Sequence, residues 1–402
     1  MLPDLAIWPA VLWIRSSDLS DIPKRCHLYD DCHKTAATTC QPCLMPLRPR
    51  AHIHLSHIAE NWRSLQGLHP NGQTGAVVKA DAYGHGIQPV CDTLHAAGCD
   101  HFFTAHGFEG EQVRRTLGPH PDIYVLNGPA PDEETLYRSH ALIPIINSPS
   151  QFETLCHWIS GGHTLPRGYA LHFDTGMNRL GLAVEDAAAL AETSRSAPPK
   201  LLLSHFACAD NPEDKLNTEQ AAAFAHICTH FPDTPRSLAN SAGIWLDGDA
   251  HHHQLSRPGI ALYGGGRYPA NLDLKPGLTL EAPILQIRQI RAGQSVGYGA
   301  SFRAQTDLCV ATIALGYGDG FPRAASNHGF AMLGDIACPI IGRVSMDLIT
   351  LNVSQARDLA RTGHYVQLIG AEAPLERQAK CAGTIGYELL TGLTPRVTRI
   401  YS

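Results

Sequence analysis

The sequence predicts an α/β protein, an N-terminal (β/α)8, TIM-like barrel followed by a β-rich C-terminal domain. Short apolar runs alternate with stretches of helical spacing over roughly 220 residues, the repeating unit of parallel β/α architecture. There are eight such runs, the strand number of that barrel. After Tyr263-Gly264-Gly265-Gly266 the texture changes to strand-like segments punctuated by Gly and Asp turns.

The eight runs fall at 76–78, 102–104, 123–126, 142–146, 169–173, 201–204, 237–239 and 254–256. Helical spacing lies between them, as at 53–68, 152–159, 184–194 and 217–231. Pro276 and Gly277 open a linker, and strand-like segments follow at 279–290, 309–315, 337–341, 348–353 and 365–369. A helix is expected at 383–390 and a last strand at 397–401. Residues 1–46 carry clustered His, Cys and Pro without periodicity and read as an N-terminal extension. The barrel is assigned to 47–270 and the β-rich domain to 271–402.

Length and composition bound the function. A chain of 402 residues with 44% hydrophobic content is long enough for two domains with sizeable cores. Its formal charge of -6 comes with scattered Lys and Arg, so no basic stripe points to nucleic acid. A small-molecule partner is expected. No run approaches the roughly 18 apolar residues that span a bilayer, and Asp4 interrupts the apolar stretch near the start, so no membrane role and a cytoplasmic location are expected. Of the twelve cysteines, Cys26, Cys32, Cys40 and Cys43 crowd the extension. Cys40 and Cys43 form a CxxC pair, but the second half of a zinc pattern is missing, so no metal site is assigned.

Barrel active sites are built at the C-terminal ends of the strands, which makes those positions a test. Lys79 ends the first run, His205 follows the sixth, Asn240 and Ser241 follow the seventh, and Arg257 follows the eighth. A lysine carried into a low-dielectric mouth has a lowered pKa and becomes an amine nucleophile toward an aldehyde. The bland alternative is a solvent-reaching lysine at a strand edge. Ser241 could equally cap a helix, His205 could be a satisfied structural histidine, and Arg257 a surface ion-pair partner. Ser241-Ala242-Gly243 and the Gly259-Ile260 amide pair could together cradle a phosphate. An aldehyde-reactive lysine and a phosphate cradle in one mouth point to pyridoxal 5'-phosphate.

The residues also carry a family resemblance. The segment AVVKADAYGHG around Lys79 resembles the cofactor-lysine motif of the bacterial alanine racemases, pyridoxal phosphate enzymes of fold-type III. DTGMNRLG at 174–181, SHFA at 204–207, NSAG at 240–243 and RPGIALYG at 257–264 follow in the family's order. The second domain adds VGYGASF at 296–302, ALGYGDGFPR at 314–323 and GRVSMDLITLNV at 342–353. The resemblance runs from about residue 47 to the end.

The resemblance implies a homodimer that interconverts L- and D-alanine with two bases, supplying D-alanine for peptidoglycan. Lys79 would hold the cofactor and act on the D-enantiomer, and Tyr298 from the partner subunit would act on the L-enantiomer, one base on each face of a planar carbanion. Arg257 would face the pyridine nitrogen, supported by His205 from behind, and would keep that nitrogen unprotonated because a guanidinium gives up its proton so reluctantly. Tyr83, Ser241, Gly259, Ile260 and Tyr387 match the family's phosphate ligands, and Arg179 the contact to the cofactor's phenolic oxygen. Arg179, with Met346 and Asp347 from the partner, would meet the substrate, and Tyr317 matches a gate tyrosine. One departure stands out: many members carry a carbamylated lysine where this chain has His172, whose imidazole cannot form that carbamate. Ser345 likewise replaces a cysteine often seen before Met-Asp.

Other readings remain. A racemase of broader range is one, because a pocket discriminates a methylene by only about 1 to 3 kcal/mol. An amino-acid decarboxylase of the same fold is disfavoured by Arg257 and Tyr298, and a non-catalytic cofactor-binding module leaves the second-domain motifs unexplained.

Overall fold

The computed structural model describes residues 47–162, 164–246 and 251–402. The expected N-terminal extension and its four cysteines lie outside these residues.

Seven parallel strands form one curled sheet in chain order: Ala76–Val77, His101–Thr104, Asp122–Val125, Ile143–Ile146, Ala170–His172, Leu201–Leu203 and Arg236–Ser237. Their sequences are continuous apolar runs because both faces are covered, as Phe102, Phe103, Ile123, Ile145, Leu171 and Leu202 show by their complete burial. Each such side chain withdrawn from water contributes about 1.5–3 kcal/mol. The eighth predicted run supplies Leu255–Ser256, which pairs in parallel with a short strand at Gln73–Thr74, just ahead of the first barrel strand. Gln254 N–H donates to Arg236 O (3.1 Å) and Arg257 N–H to Ala239 O (2.9 Å), so this strand also lies against the seventh. The expected ring is therefore a seven-stranded curled sheet bridged by a two-stranded one.

The helices cover the outside of the sheet. Leu55–Gly67 buries Ile58, Ala59, Trp62 and Leu65, and Lys215–Thr229 starts from Asp214, whose side chain accepts from Leu216 N–H. Pro149–Ser160 begins with Ser148 accepting from Gln151 N–H and carries Pro149 in its first turn, where proline costs no hydrogen bond. At the N-terminal face Asp122 binds Arg167 (2.5 Å) and Lys200 (2.7 Å) and so ties strand starts together.

The β-rich part is an eight-stranded sheet. Leu278–Ile290, Leu308–Ala314, Leu348–Asn352, Tyr365–Ile369 and Thr398–Tyr401 follow the expected segments closely. Sequence reading missed Phe330–Leu333, the hairpin Ser295–Val296 with Phe302–Arg303, and the helix Leu375–Cys381. It also placed Arg50–Ile53 with the barrel. That strand instead pairs antiparallel with Leu278–Ile290 and parallel with Thr398–Tyr401, so the start of the described chain is built into the second sheet. Its alternating half-buried and buried residues give no sign of which sheet it joins. No helix among the described residues is long and apolar enough to cross a membrane.

Candidate active site

The strand ends open into a cavity of about 870 Å³ lined by Lys79, Tyr83, His172, Arg179, His205, Asn240, Ser241, Arg257, Gly259, Ile260 and Tyr387, among others. Every residue that the strand-end rule selected is therefore brought to one place.

Lys79 follows Val78, whose N–H still donates to Phe103 O at 2.9 Å. The side chain is half-buried, and burial lowers its pKa; Arg179 lowers it further, and Glu109 opposes both. Directly after it the chain makes a left-handed turn, with φ of 53°, 54°, 53° and 53° at Ala80, Asp81, Ala82 and Tyr83. Each such residue costs roughly 1–2 kcal/mol, and the surroundings compensate. Glu109 Oε1 accepts from Ala80 N–H (2.6 Å), Asp81 Oδ1 accepts from Ile87 N–H (2.8 Å), and Nδ1 of the fully buried His85 donates to Ala82 O (3.1 Å) and Tyr83 O (2.9 Å). Gly84 ends the turn at φ 78°, where a Cβ would meet Leu390 O at 2.3 Å. The turn aims the Tyr83 ring at Tyr263, stacked at 4.9 Å, and at Tyr387, 6.0 Å away. Burial raises the pKa of both Tyr83 and Tyr387, the latter to about 12, so both are neutral hydrogen-bond donors.

Arg257 is the most heavily constrained polar group in the cavity. It is buried, and its guanidinium donates to Ser237 Oγ (2.5 Å), Ser204 O (2.6 Å), His205 Nδ1 (3.3 Å) and Leu238 O (3.5 Å). Burial lowers its pKa to about 10, still cationic at neutral pH, and no described carboxylate pairs with it. His205 is held well below the ordinary imidazole range by burial and then by Arg257, so it is the neutral acceptor of that bond. Gln220 fixes this segment by accepting from Ala207 N–H and donating to His205 O, both at 2.9 Å.

Ser241 does not cap its own turn. Its Oγ accepts from Gly259 N–H (2.9 Å) and Ala261 N–H (3.3 Å), which joins the loops after the seventh and eighth strands. A Cβ on Gly259 would meet Tyr83 Oη at 2.4 Å, so the glycine lets the tyrosine hydroxyl approach this loop. Asn240 accepts from Gly243 N–H (2.9 Å) and donates to Phe206 O (3.3 Å), so its side chain shapes the turn. Ile260 is buried beside it.

These parts fit pyridoxal phosphate. Arg257 engages protein acceptors through both terminal nitrogens while its Nε–H has none among the described residues, which suits an acceptor such as a pyridine nitrogen. The Ser241, Gly259 and Tyr83 cluster supplies hydroxyls and amides without a carboxylate, which suits a phosphate.

Four expected residues do not line the cavity. Tyr298 lies on a 3₁₀ turn, Tyr298–Ala300, and is 73% exposed; Tyr317 and Met346 are 42% and 52% exposed. Tyr317 N–H donates to Ser345 O (3.0 Å) and Gly318 N–H to Met346 O (2.8 Å), so these two loops are locked together. Asp347 pairs with Arg396 at 2.6 Å, and Arg396 with Asp319 at 3.0 Å.

Sequence reading missed two cavity supports. Asn147 follows the strand Ile143–Ile146, and the strand-end rule applied there would have found it. Glu109 comes from a helix about thirty residues beyond Lys79 in sequence, and no local motif links them.

Comparisons with known proteins agree with this geometry. The family descriptions "Alanine racemase, N-terminal domain" and "Alanine racemase, C-terminal domain" match residues 53–267 and 277–401. The chain is 43% identical to the alanine racemase of Methylobacterium nodulans over 360 residues, 88% of this chain and 95% of that protein. It is 42% identical to the catabolic alanine racemase of Agrobacterium fabrum, over 87% of this chain and 91% of that one. Among solved structures it is similar to the alanine racemase of Bartonella henselae with covalently bound pyridoxal phosphate (TM-score 0.83, 36% identity, 89% and 100% of the two chains). The biosynthetic alanine racemase of Pseudomonas aeruginosa gives 0.83 and 35% over 88% and 99%. Fold, cavity and both halves of the sequence thus lead to one conclusion: the chain belongs to the alanine racemase family.

Proposed function

We infer that this chain is a pyridoxal phosphate-dependent racemase that interconverts L-alanine and D-alanine. The observation that carries this reading is a half-buried lysine of lowered pKa sharing a cavity with a buried guanidinium that no carboxylate neutralises. When bound, pyridoxal phosphate supplies an aldehyde for the substrate amine and a ring that delocalises the electron pair left when Cα loses its proton.

Lys79 Nζ would be the residue that holds the cofactor through its aldehyde carbon, and as a free amine it would serve as the base on the D-face. Its lowered pKa raises the fraction of neutral amine available to accept the Cα proton. Arg257 would donate to the ring nitrogen and keep it unprotonated, which would make the ring a weaker electron sink and disfavour transamination. His205 holds Arg257 in place. Tyr83, Ser241, Gly259, Ile260 and Tyr387 would hold the phosphate, Asn240 shapes that loop, and Arg179 would meet the phenolic oxygen and the substrate carboxylate.

The second base is Tyr298 of another copy of the chain. Support comes from placement: Tyr298, Tyr317 and Met346 are exposed and lie outside the cavity of their own chain, together with Asp347. A homodimer that sets this face over the cavity of its partner gives each site a base on either side of Cα. We place the enzyme in the cytoplasm, supplying D-alanine for peptidoglycan, and the buried free thiols Cys91, Cys99, Cys228, Cys309 and Cys338 support a reducing compartment.

The test is steady-state racemisation by the holoenzyme over alanine, serine, lysine and arginine. Alanine should be turned over fastest, and Lys79→Ala should abolish all turnover. A broader amino-acid racemase is the second reading, favoured by a cavity of about 870 Å³, near the upper end of small-molecule sites. Comparable rates on lysine or arginine would establish it.

A further inference from the structure

His172 ends the strand Ala170–His172 and points its ring into the group that lines the Lys79 cavity. Its protonation is dictated by Asn147, which is 3% exposed. Asn147 Nδ2 donates to Leu126 O (3.0 Å), Ile145 O (2.9 Å) and Gln151 Oε1 (3.3 Å). The two backbone carbonyls only accept, so reversing the amide would set oxygen against oxygen. Gln151 is fixed as well, accepting from Asn147 N–H and donating to Asn127 O, both at 2.8 Å. Asn147 Oδ1 therefore faces His172 Nδ1 at 2.7 Å, and Nδ1 must carry the proton.

A second proton is disfavoured. Burial is the largest cause, and Arg257 and Arg179 add to it; together they hold the pKa at about 4. The neighbouring His205 is neutral, and Lys79 and Arg267 are the other basic residues lining the cavity. Asp174 alone favours protonation, and its Oδ1 already accepts from Gly176 N–H and Met177 N–H at 2.9 Å. Nε2 is thus left with a lone pair. Arg179, on the loop that follows, is exposed and bonds to no described residue.

We propose that His172 is a positioning residue whose Nε2 accepts a hydrogen bond from the Arg179 guanidinium and orients it over the substrate site. The backbone carbonyls of Leu126 and Ile145 would set the tautomer through Asn147, so a neutral ring does this work without a negative charge. The orienting role rests on the reading of Arg179 as a cofactor and substrate contact; the tautomer does not.

The test uses holoenzyme labelled with 15N-histidine, with His172 assigned by the signals lost in His172→Gln. Long-range proton–nitrogen spectra should show a protonated Nδ1, a bare Nε2 and no titration from about pH 8 to about pH 5. Asn147→Leu should release the ring to a mixture of tautomers. In kinetics, His172→Leu should raise KM for alanine about tenfold or more, the factor one hydrogen bond to a charged group supplies, with kcat changed much less. His172→Gln, which keeps an acceptor oxygen, should recover most of that KM. A protonated Nε2, or titration near 6.5, overturns the proposal. Equal KM in the Leu and Gln variants overturns the orienting role. If the wild-type holoenzyme does not racemise alanine, the functional reading fails while the spectra still decide the tautomer.

Discussion

Arg257 Nη2 stands 3.3 Å from His205 Nδ1, and this neutral imidazole, rather than a carboxylate, is the side-chain nitrogen partner of the buried guanidinium. A buried cation without an anion is costly to maintain and calls for a reason. The reason is chemical: a carboxylate at this position would stabilise a protonated ring nitrogen and strengthen the electron sink. Arg257→Glu should therefore slow racemisation and raise keto-acid formation per turnover, with pyruvate measured by a coupled dehydrogenase. Arg257→Lys, which keeps a cation, should form no added pyruvate. Unchanged racemisation in the Glu variant would show that residue 257 does not face the ring.

Buried neutral histidines make stability depend on pH. His85 and His172 are held at about 4 from an ordinary value of 6.5, chiefly by burial. A base whose folded pKa is depressed binds fewer protons folded than unfolded between those two values, so stability is full above 6.5 and falls as pH drops toward 4. Each contributes a slope of up to about 1.4 kcal/mol per pH unit in that window. Urea unfolding of the holoenzyme at several pH values should show this decline. His85→Phe keeps a ring against Tyr263 and should lower stability throughout, because the bonds to Ala82 O and Tyr83 O are lost, while flattening the slope. An unaltered slope would mean that folding does not shift the His85 pKa.

The left-handed turn after Lys79 is a strained support for its amine. Ala80→Gly removes a Cβ from a residue at φ 53°, where the Ala side chain is exposed and packs little. Relief of steric strain should outweigh the glycine's chain entropy and raise unfolding free energy by up to about 1 kcal/mol. Ala80→Val should lower it by more than that and reduce turnover by displacing Lys79. A loss of stability in the glycine variant would show that the turn is not left-handed in solution.

Much of this fold was legible because its strands are buried on both faces. All eight barrel runs recur within a few residues, since a continuous apolar run such as 201–204 has no amphipathic ambiguity to resolve. Arg50–Ile53 was illegible as part of the second sheet because its partners lie more than two hundred residues away. The short strand Phe330–Leu333 follows a glycine-rich turn region whose local pattern resembles a loop.

The site was legible where a strand end carries it, as at Lys79, His205, Ser241 and Arg257. It was not legible where support arrives through space, as with Glu109 beneath Ala80. Nor does sequence reveal that Ser241 reaches the next loop, that Asn147 sets the His172 proton, or that four residues turn left-handed after Lys79.

The central claim is that each site takes Lys79 from one copy and Tyr298 from another. Complementation tests it most directly: Lys79→Ala and Tyr298→Phe chains, each nearly inactive in racemisation alone, are unfolded, mixed in equal amounts and refolded with cofactor. Half of the random dimers would be mixed and each would hold one intact site of two, so activity should return to about a quarter of wild type. Activity no greater than the sum of the separately refolded variants, from material shown by mass spectrometry to contain mixed dimers, would contradict the shared site.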